Sequence, residues 1–278
     1  MTWKPWCAAV GLLAVASIAS GQTITRYVKY EAAGQTAWGA LEGDTIRELA
    51  GTVFEGMKLT GRTLKLADVK LLPPAEPRKV IAAGLNYRSH IGEQPAAKYV
   101  GLFAKLPTSL IGHGADIVYP ADATNVHYES EVCVVIGKRA KNITEAQVRD
   151  HIFGVTPCND VSERAWQKAD LQWLRAKGSD TFGPIGPVLV RGVDYNKLHL
   201  IGRHNGKVVQ ESTTDQLIFS IDNIVSYTSR YVTLEPGDVI FTGTPGTTQA
   251  MKPGDTFEVE IEGVGVLRNK VVAAPMNR

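Results

Sequence analysis

A chain of 278 residues with 44% apolar and 21% charged side chains can bury a full core, which excludes disordered and fibrous classes. A formal net charge of +2 without a dense Lys/Arg run gives no electrostatic case for nucleic acid. Three cysteines are too few for a disulfide scaffold.

The first stretch runs from one positive charge in MTWKPW through the apolar CAAVGLLAVASIA to the small residues Ala19, Ser20 and Gly21. That order predicts a secretory signal peptide over residues 1–21, hence an exported periplasmic or secreted protein with no stable membrane partner after cleavage. The alternative is a misassigned start and a cytoplasmic protein. Residues 22–77 follow as a small β unit: ITRYVKYE and TAWGALEGDTIREL alternate like the arms of a hairpin or meander. A helical or loop stretch from Val53 to Val69 leads to LLPPAEP, a linker, and a boundary near residue 77. Residues 78–278 form the main domain. KVIAAGLNY is a buried strand, RSHIGEQPAAKYV a loop or lid, and LFAKL and TSLIG are extended pieces.

The stretch HYESEVCVVIG predicts a strand on which Glu129 and Glu131 share one face, followed on that face by Cys133 and Val135. Carboxylates on a strand entering a core need solvent or a cationic partner, because an unpaired buried charge is costly. TEAQVRD starts a helix with Thr144 as N-cap. IFGVTPCND is a strand, and SERAWQKADLQWLRA a helix with Trp166, Ala169, Trp173 and Ala176 at helical spacing. Beyond it the chain is mostly β, with Asn205-Gly206 as a hairpin turn, an amphipathic helix in SIDNIVSYTSRYV, and two Pro-Gly-Asp turns that each launch a strand. The sum is an α+β, β-rich class.

Asp160 ends the strand-like IFGVTPCND and adds a third acid to Glu129 and Glu131. Its simpler role is a helix N-cap. Three carboxylates at strand ends suit a hard divalent cation such as Mg²⁺ or Mn²⁺, whereas no His/Cys cluster has zinc-ligand spacing. His90 and Glu93 stand three apart, so on one helical turn they would reach each other and a shared water. Lys177 follows a helix in a Gly-rich segment, and Thr244 lies in a turn that can approach a ligand carboxylate or simply turn the chain. Cys133 and Cys158 flank these acids; core packing accounts for them, and a single bridge is the alternative.

In this order GLNYRSHIGE, FAKLPTSL, HYESEVCVVIGKRAKNI, CNDVSERAWQ, RAKGSDTFGP and DVIFTGTPG resemble the fumarylacetoacetate hydrolase family over about residues 78–272. The small β unit before them is similar to an appendage that some members carry. The resemblance implies a mixed β-sandwich or roll core, a homodimer, and Mg²⁺ or Mn²⁺ held by Glu129, Glu131 and Asp160. It implies a His90–Glu93 dyad on a lid that activates water, Lys177 facing a substrate oxygen, and Arg164, Gln167 and Thr244 binding the substrate. The chain departs from the family where Gly246-Thr247-Thr248 replaces a frequent Gly-Val pair, which bears on pocket shape. The expected substrate is a small 2-oxo acid, and the His90–Glu93 pair tilts the expectation toward C–C hydrolysis of an acylpyruvate-like 2,4-dioxo acid. Decarboxylation of an oxaloacetate-like acid and isomerisation or hydration of a muconate-type dienoate are the alternatives. An exported β-rich binding module without metal dependence is the non-enzymatic one.

Overall fold

The computed structural model describes residues 23–275. Ten strands run side by side in the main sheet, in the spatial order Lys58–Lys65, Thr45–Ala50, Gln35–Glu42, Thr25–Ala32, Leu189–Arg191, Ile152–Asn159, Ser130–Ile136, Val239–Phe241, Val80–Gly84 and Gly101–Lys105. An eleventh, Lys70–Leu72, pairs with Thr25–Ala32. A second sheet of five strands covers part of one face. Both sheets mix parallel and antiparallel pairs, as in Val239–Phe241 running parallel to Val80–Gly84. The α+β, β-rich expectation therefore holds. The N-terminal strands do not form a separate sheet: Thr25, Arg26 and Tyr27 pair with Arg191, Val190 and Leu189, extending the main one.

Alternation along Ser130–Ile136 positions the site. Val132, Val134 and Ile136 enter the core between the two sheets, while Cys133 and Val135 enter a second core on the opposite face. Glu131 shares that second face, at the strand end where apolar packing gives way to charge. Cys133 and Cys158 are bonded as a disulfide in this core, which corrects the expectation of two unlinked packing cysteines. The register explains it: Glu131 lies opposite Cys158 and Cys133 opposite Thr156, so the two cysteines are diagonal neighbours with Cα atoms 5.9 Å apart.

Two local expectations change. The helix predicted from Ser162 breaks into Arg164–Ala169 and Leu174–Gly178. Asp170 turns extended, and its carboxylate accepts from Arg175 at 2.9 and 2.6 Å, which holds the break closed. Val53–Val69 contains an edge strand, Lys58–Lys65, rather than a helix. Thr144 does cap a turn of helix, a 3-10 one over Glu145–Asp150, through a capping box with Gln147. Among the described residues no helix is long and apolar enough to cross a membrane.

Candidate active site

Glu129, Glu131 and Asp160 are all buried, and each offers a carboxylate oxygen within 4.8 Å of the others. Pairing of the two central strands brings them together: Asp160 N–H donates to the Glu129 carbonyl at 2.9 Å, and the Asn159 side chain accepts from Glu129 N–H at 2.8 Å. Lys177 Nζ donates to Glu129 Oε2 and Asp160 Oδ2, both at 2.7 Å. Burial disfavours its charge, but the two carboxylates outweigh burial and raise its pKa. Burial likewise pushes the Glu129 carboxyl up, and Lys177, Arg164 and His90 together overcome it and hold Glu129 well below the carboxylate range.

Lys105, in the stretch FAKLPTSL, is a further member of the site that no spacing in the sequence marks. Its fully buried ammonium donates to Asp160 Oδ1 at 2.6 Å and to the Lys177 carbonyl. Here burial dominates and lowers the pKa. The only early signal was a lysine in an otherwise apolar strand, LFAKL.

Glu131 is the odd member of the trio. Its Oε2 accepts from Gly243 N–H at 2.7 Å, and among the described residues no side-chain cation is paired with it. Burial, then Asp160 and Glu129, push its pKa far up. That N–H requires glycine: Gly243 has φ +112°, and a Cβ there would lie 2.7 Å from Asn86 Cβ. An all-oxygen donor set with one uncompensated carboxylate fits a hard divalent cation, so the residues suit the predicted metal.

A cavity of about 160 Å³ opens on this cluster and is also lined by His90, Arg164, Gln167 and Thr244. A larger hollow of about 470 Å³ lies on the N-terminal strands, but its charged groups pair with one another, Lys29 with Glu76 at 2.8 Å and Arg62 with Glu48 at 3.2 Å. The charge imbalance marks the smaller cavity. Arg164 bonds Glu129, donates to Gln167 Oε1 at 2.7 Å and to Thr248 Oγ1 at 2.9 Å. Thr248 is thus the part of the departure from the family pattern that touches the site. Thr244 donates to the Ser130 carbonyl at 2.9 Å and accepts from Gln210 Nε2 at 2.8 Å.

His90 donates its Nδ1–H to the Gly246 carbonyl at 2.7 Å, which leaves Nε2 as the acceptor. The structure does not bring Glu93 to it. The helix spans only Arg88–Ile91 and ends at Gly92 with φ +59°, so Glu93 lies past the last turn, is exposed, and does not line the cavity. The three-residue spacing pairs side chains only while a helix continues.

His127 supports Arg164 from behind. Its Nδ1 accepts from Thr248 Oγ1 and its Nε2–H donates to Asn125 Oδ1, both at 2.9 Å, so the ring is neutral. Burial, then Arg164, lower its pKa to about 4. The unfolded ring titrates near 6.5, so between 6.5 and 4 the unfolded state binds the extra proton and stability falls as pH drops. His127→Gln should flatten that acid limb. Thermal unfolding at several pH values between 4 and 7 reads it; an unchanged pH slope would contradict a neutral His127.

The described fold agrees with known proteins. Residues 79–272 match the family description "Fumarylacetoacetate (FAA) hydrolase C-terminal", and residues 25–74 match "Rv2993c-like, N-terminal". A crystal structure of 5-carboxymethyl-2-hydroxymuconate delta-isomerase from Mycobacterium smegmatis superposes with a TM-score of 0.86 at 41% identity, covering 90% of this chain and 100% of that one. The mitochondrial oxaloacetate tautomerase FAHD2A of Homo sapiens is 40% identical over 216 residues, 73% of this chain and 69% of that protein. A maleylpyruvate hydrolase from Sphingobium sp. SYK-6, solved with manganese(II) and pyruvate, has a TM-score of 0.77 at 26% identity, covering 90% of this chain and 100% of that one. The expectation of export is overturned: the relatives whose names carry a location, among them the oxaloacetate tautomerases FAHD2A of Homo sapiens and Bos taurus, are mitochondrial. The apolar run that prompted it falls in residues 1–22, outside the described residues. With residues 79–272 matched, and Glu129 and Glu131 lining the cavity beside the buried Asp160, the chain belongs to the fumarylacetoacetate hydrolase family of enzymes.

Proposed function

We propose that the protein moves a proton at C3 of a small 2-oxo acid, interconverting keto and enol or double-bond isomers, with Mg²⁺ or Mn²⁺ held by Glu129, Glu131 and Asp160. The observation that carries this is His90: its Nδ1–H is committed to Gly246, its Nε2 is left as a base, and among the described residues no carboxylate hydrogen-bonds to it. The expectation of hydrolysis rested on a His90–Glu93 dyad, and this conformation lacks it. The isomerase and tautomerase named among the similar proteins lend the same support.

The cation, when bound, supplies a Lewis acid for the 2-keto oxygen. His90 takes the C3 proton on Nε2 and returns it at the other end of the enolate, so the reaction needs no second reactant. Lys177 stabilises the negative charge that develops on the oxygen. Arg164, Gln167 and Thr244 hold the substrate, Arg164 exchanging part of its bonding with Glu129 for the substrate carboxylate. The homodimer implied by the family belongs to this proposal, and sedimentation at twice the chain mass would support it.

The resemblance to the manganese-containing maleylpyruvate hydrolase favours a second reading, C–C hydrolysis of a 2,4-dioxo acid. Water oxygen would add at C4, the C3–C4 bond would break, and C3 would gain a proton. It needs residues 92–99 to rearrange so that Glu93 reaches His90. Both readings separate in one experiment: NMR of C3 hydrogen–deuterium exchange and of cleavage products for a panel of 2-oxo and 2,4-dioxo acids, with Mn²⁺ or EDTA. Metal-dependent exchange without cleavage is expected, and His90→Gln should slow it by about 10²–10⁴-fold. Exchange that is equal in EDTA, or indifferent to His90→Gln, would refute the proposal. Cleavage that depends on Glu93 would establish the second reading instead.

A further inference from the structure

Beside the charged cavity lies a second hollow, of about 240 Å³, and the two share Gly84, Leu85 and Trp173. The chemistry changes across that shared wall. The first cavity carries His90, Glu129, Glu131, Arg164 and Lys177. The second is lined by Leu85, Phe103, Leu171 and Trp173 with glycine backbone, and its one polar side chain is Gln172; it contains no ionisable residue.

We infer that this hollow is the subsite for the part of the substrate beyond C4, and that it takes an apolar alkyl or aryl group rather than a second carboxylate. This rests on the 2-oxo acid reading of the adjoining cavity. Three observations carry it. Phe103 and Trp173 meet edge to face at 5.4 Å, and Lys177 Nζ lies 5.2 Å from the Phe103 ring, so one aromatic wall connects the charged cluster to the apolar hollow. Gly84 lets both rings come close: a Cβ there would stand 3.2 Å from Trp173 and 3.4 Å from Phe103, a tight fit against the first ring. Finally, the rim is unusually bare. Leu171 is 95% exposed and Leu85 47%, and Leu85 holds φ +58°, which a leucine rarely adopts. Backbone strain at a site mouth points to a use for the side chain it presents. A phenyl or butyl group would cover these leucines, whereas a carboxylate would be desolvated with no cation to meet it.

The test compares binding of 2-oxobutanoate, 2-oxo-4-phenylbutanoate and 2-oxopentanedioate to the Mn²⁺-loaded protein by calorimetry. The phenyl compound should bind about tenfold or more tightly than 2-oxobutanoate, the scale of a filled apolar pocket. The dicarboxylate should gain nothing. Leu171→Arg, at an exposed position, should lower the phenyl-to-carboxylate affinity ratio by about tenfold, and Trp173→Ala should lower it too. A fold defect would weaken both ligands and leave the ratio alone. Equal or tighter binding of the dicarboxylate to the unmodified protein would overturn the inference. If C3 exchange is absent while the phenyl preference holds, the reaction reading fails and the subsite stands. If none of the three binds, both fail.

Discussion

Asp160→Ala should unfold far more easily than the unmodified protein in metal-free buffer, by about 3–5 kcal/mol, the range for breaking a buried ion pair by removing one partner. Two lysines lose a counter-charge at once. Lys177 keeps only Glu129, and Lys105 keeps only the Lys177 carbonyl. Both ammonium groups lie almost out of contact with water, with side chains 3% and 0% exposed, so neither can turn to solvent for compensation. Because Lys105 is held toward its neutral form by burial, losing Asp160 should push it further that way. Asp160→Asn keeps the shape and some hydrogen bonding, so its penalty should be smaller while its loss of Mn²⁺ binding is comparable. Urea unfolding in EDTA reads the first quantity and calorimetric Mn²⁺ titration the second. If Asp160→Ala unfolds within about 1 kcal/mol of the unmodified protein, the buried network is not paired as described.

The partners in that network show where sequence reasoning stops. Glu129 and Glu131 were legible because strand alternation is local: two residues apart means one face. Asp160 followed from the end of a neighbouring strand, and Lys177, Arg164, Gln167 and Thr244 from motifs of the family. Lys105 was not legible as a partner, since its contacts reach 55 and 72 residues along the chain and exist only after the strand Gly101–Lys105 docks at the sheet edge. The His90–Glu93 pairing failed for a local reason, the left-handed Gly92, which spacing alone does not reveal. Periodicity places Trp173 on a helix face; the break at Asp170 instead frees it to form the wall between two hollows. Alternation in the N-terminal strands predicts a hairpin or meander, but their joining to Leu189–Arg191 is a pairing across more than 150 residues.

Glu131→Gln should act in the opposite direction from Asp160→Ala, and that contrast is the sharper test of a metal site. In metal-free protein the Glu131 carboxyl is raised by burial, then by Asp160 and Glu129, well above its ordinary 4.5. Above pH 4.5 the unfolded chain has released this proton while the folded chain still holds it. The folded state therefore binds more protons, and stability falls as pH rises until the raised folded value has been passed. A neutral glutamine removes that cost while its side-chain oxygen can still accept from Gly243 N–H. Metal-free Glu131→Gln should accordingly melt at a higher temperature than the unmodified protein at neutral pH, with a flatter pH slope above 4.5. Mn²⁺ binding should move the other way. The lost carboxylate is a proposed ligand, so affinity should fall by more than the roughly 10–100-fold that removing an outer-shell partner costs. In the unmodified protein the cation competes with the Glu131 proton, so Mn²⁺ affinity should rise with pH, and in Glu131→Gln that rise should be lost. Melting curves in EDTA and Mn²⁺ titrations across pH measure both arms. A variant that melts lower without metal, or binds Mn²⁺ as tightly as before, would show that Glu131 is an ordinary buried acid and no metal ligand.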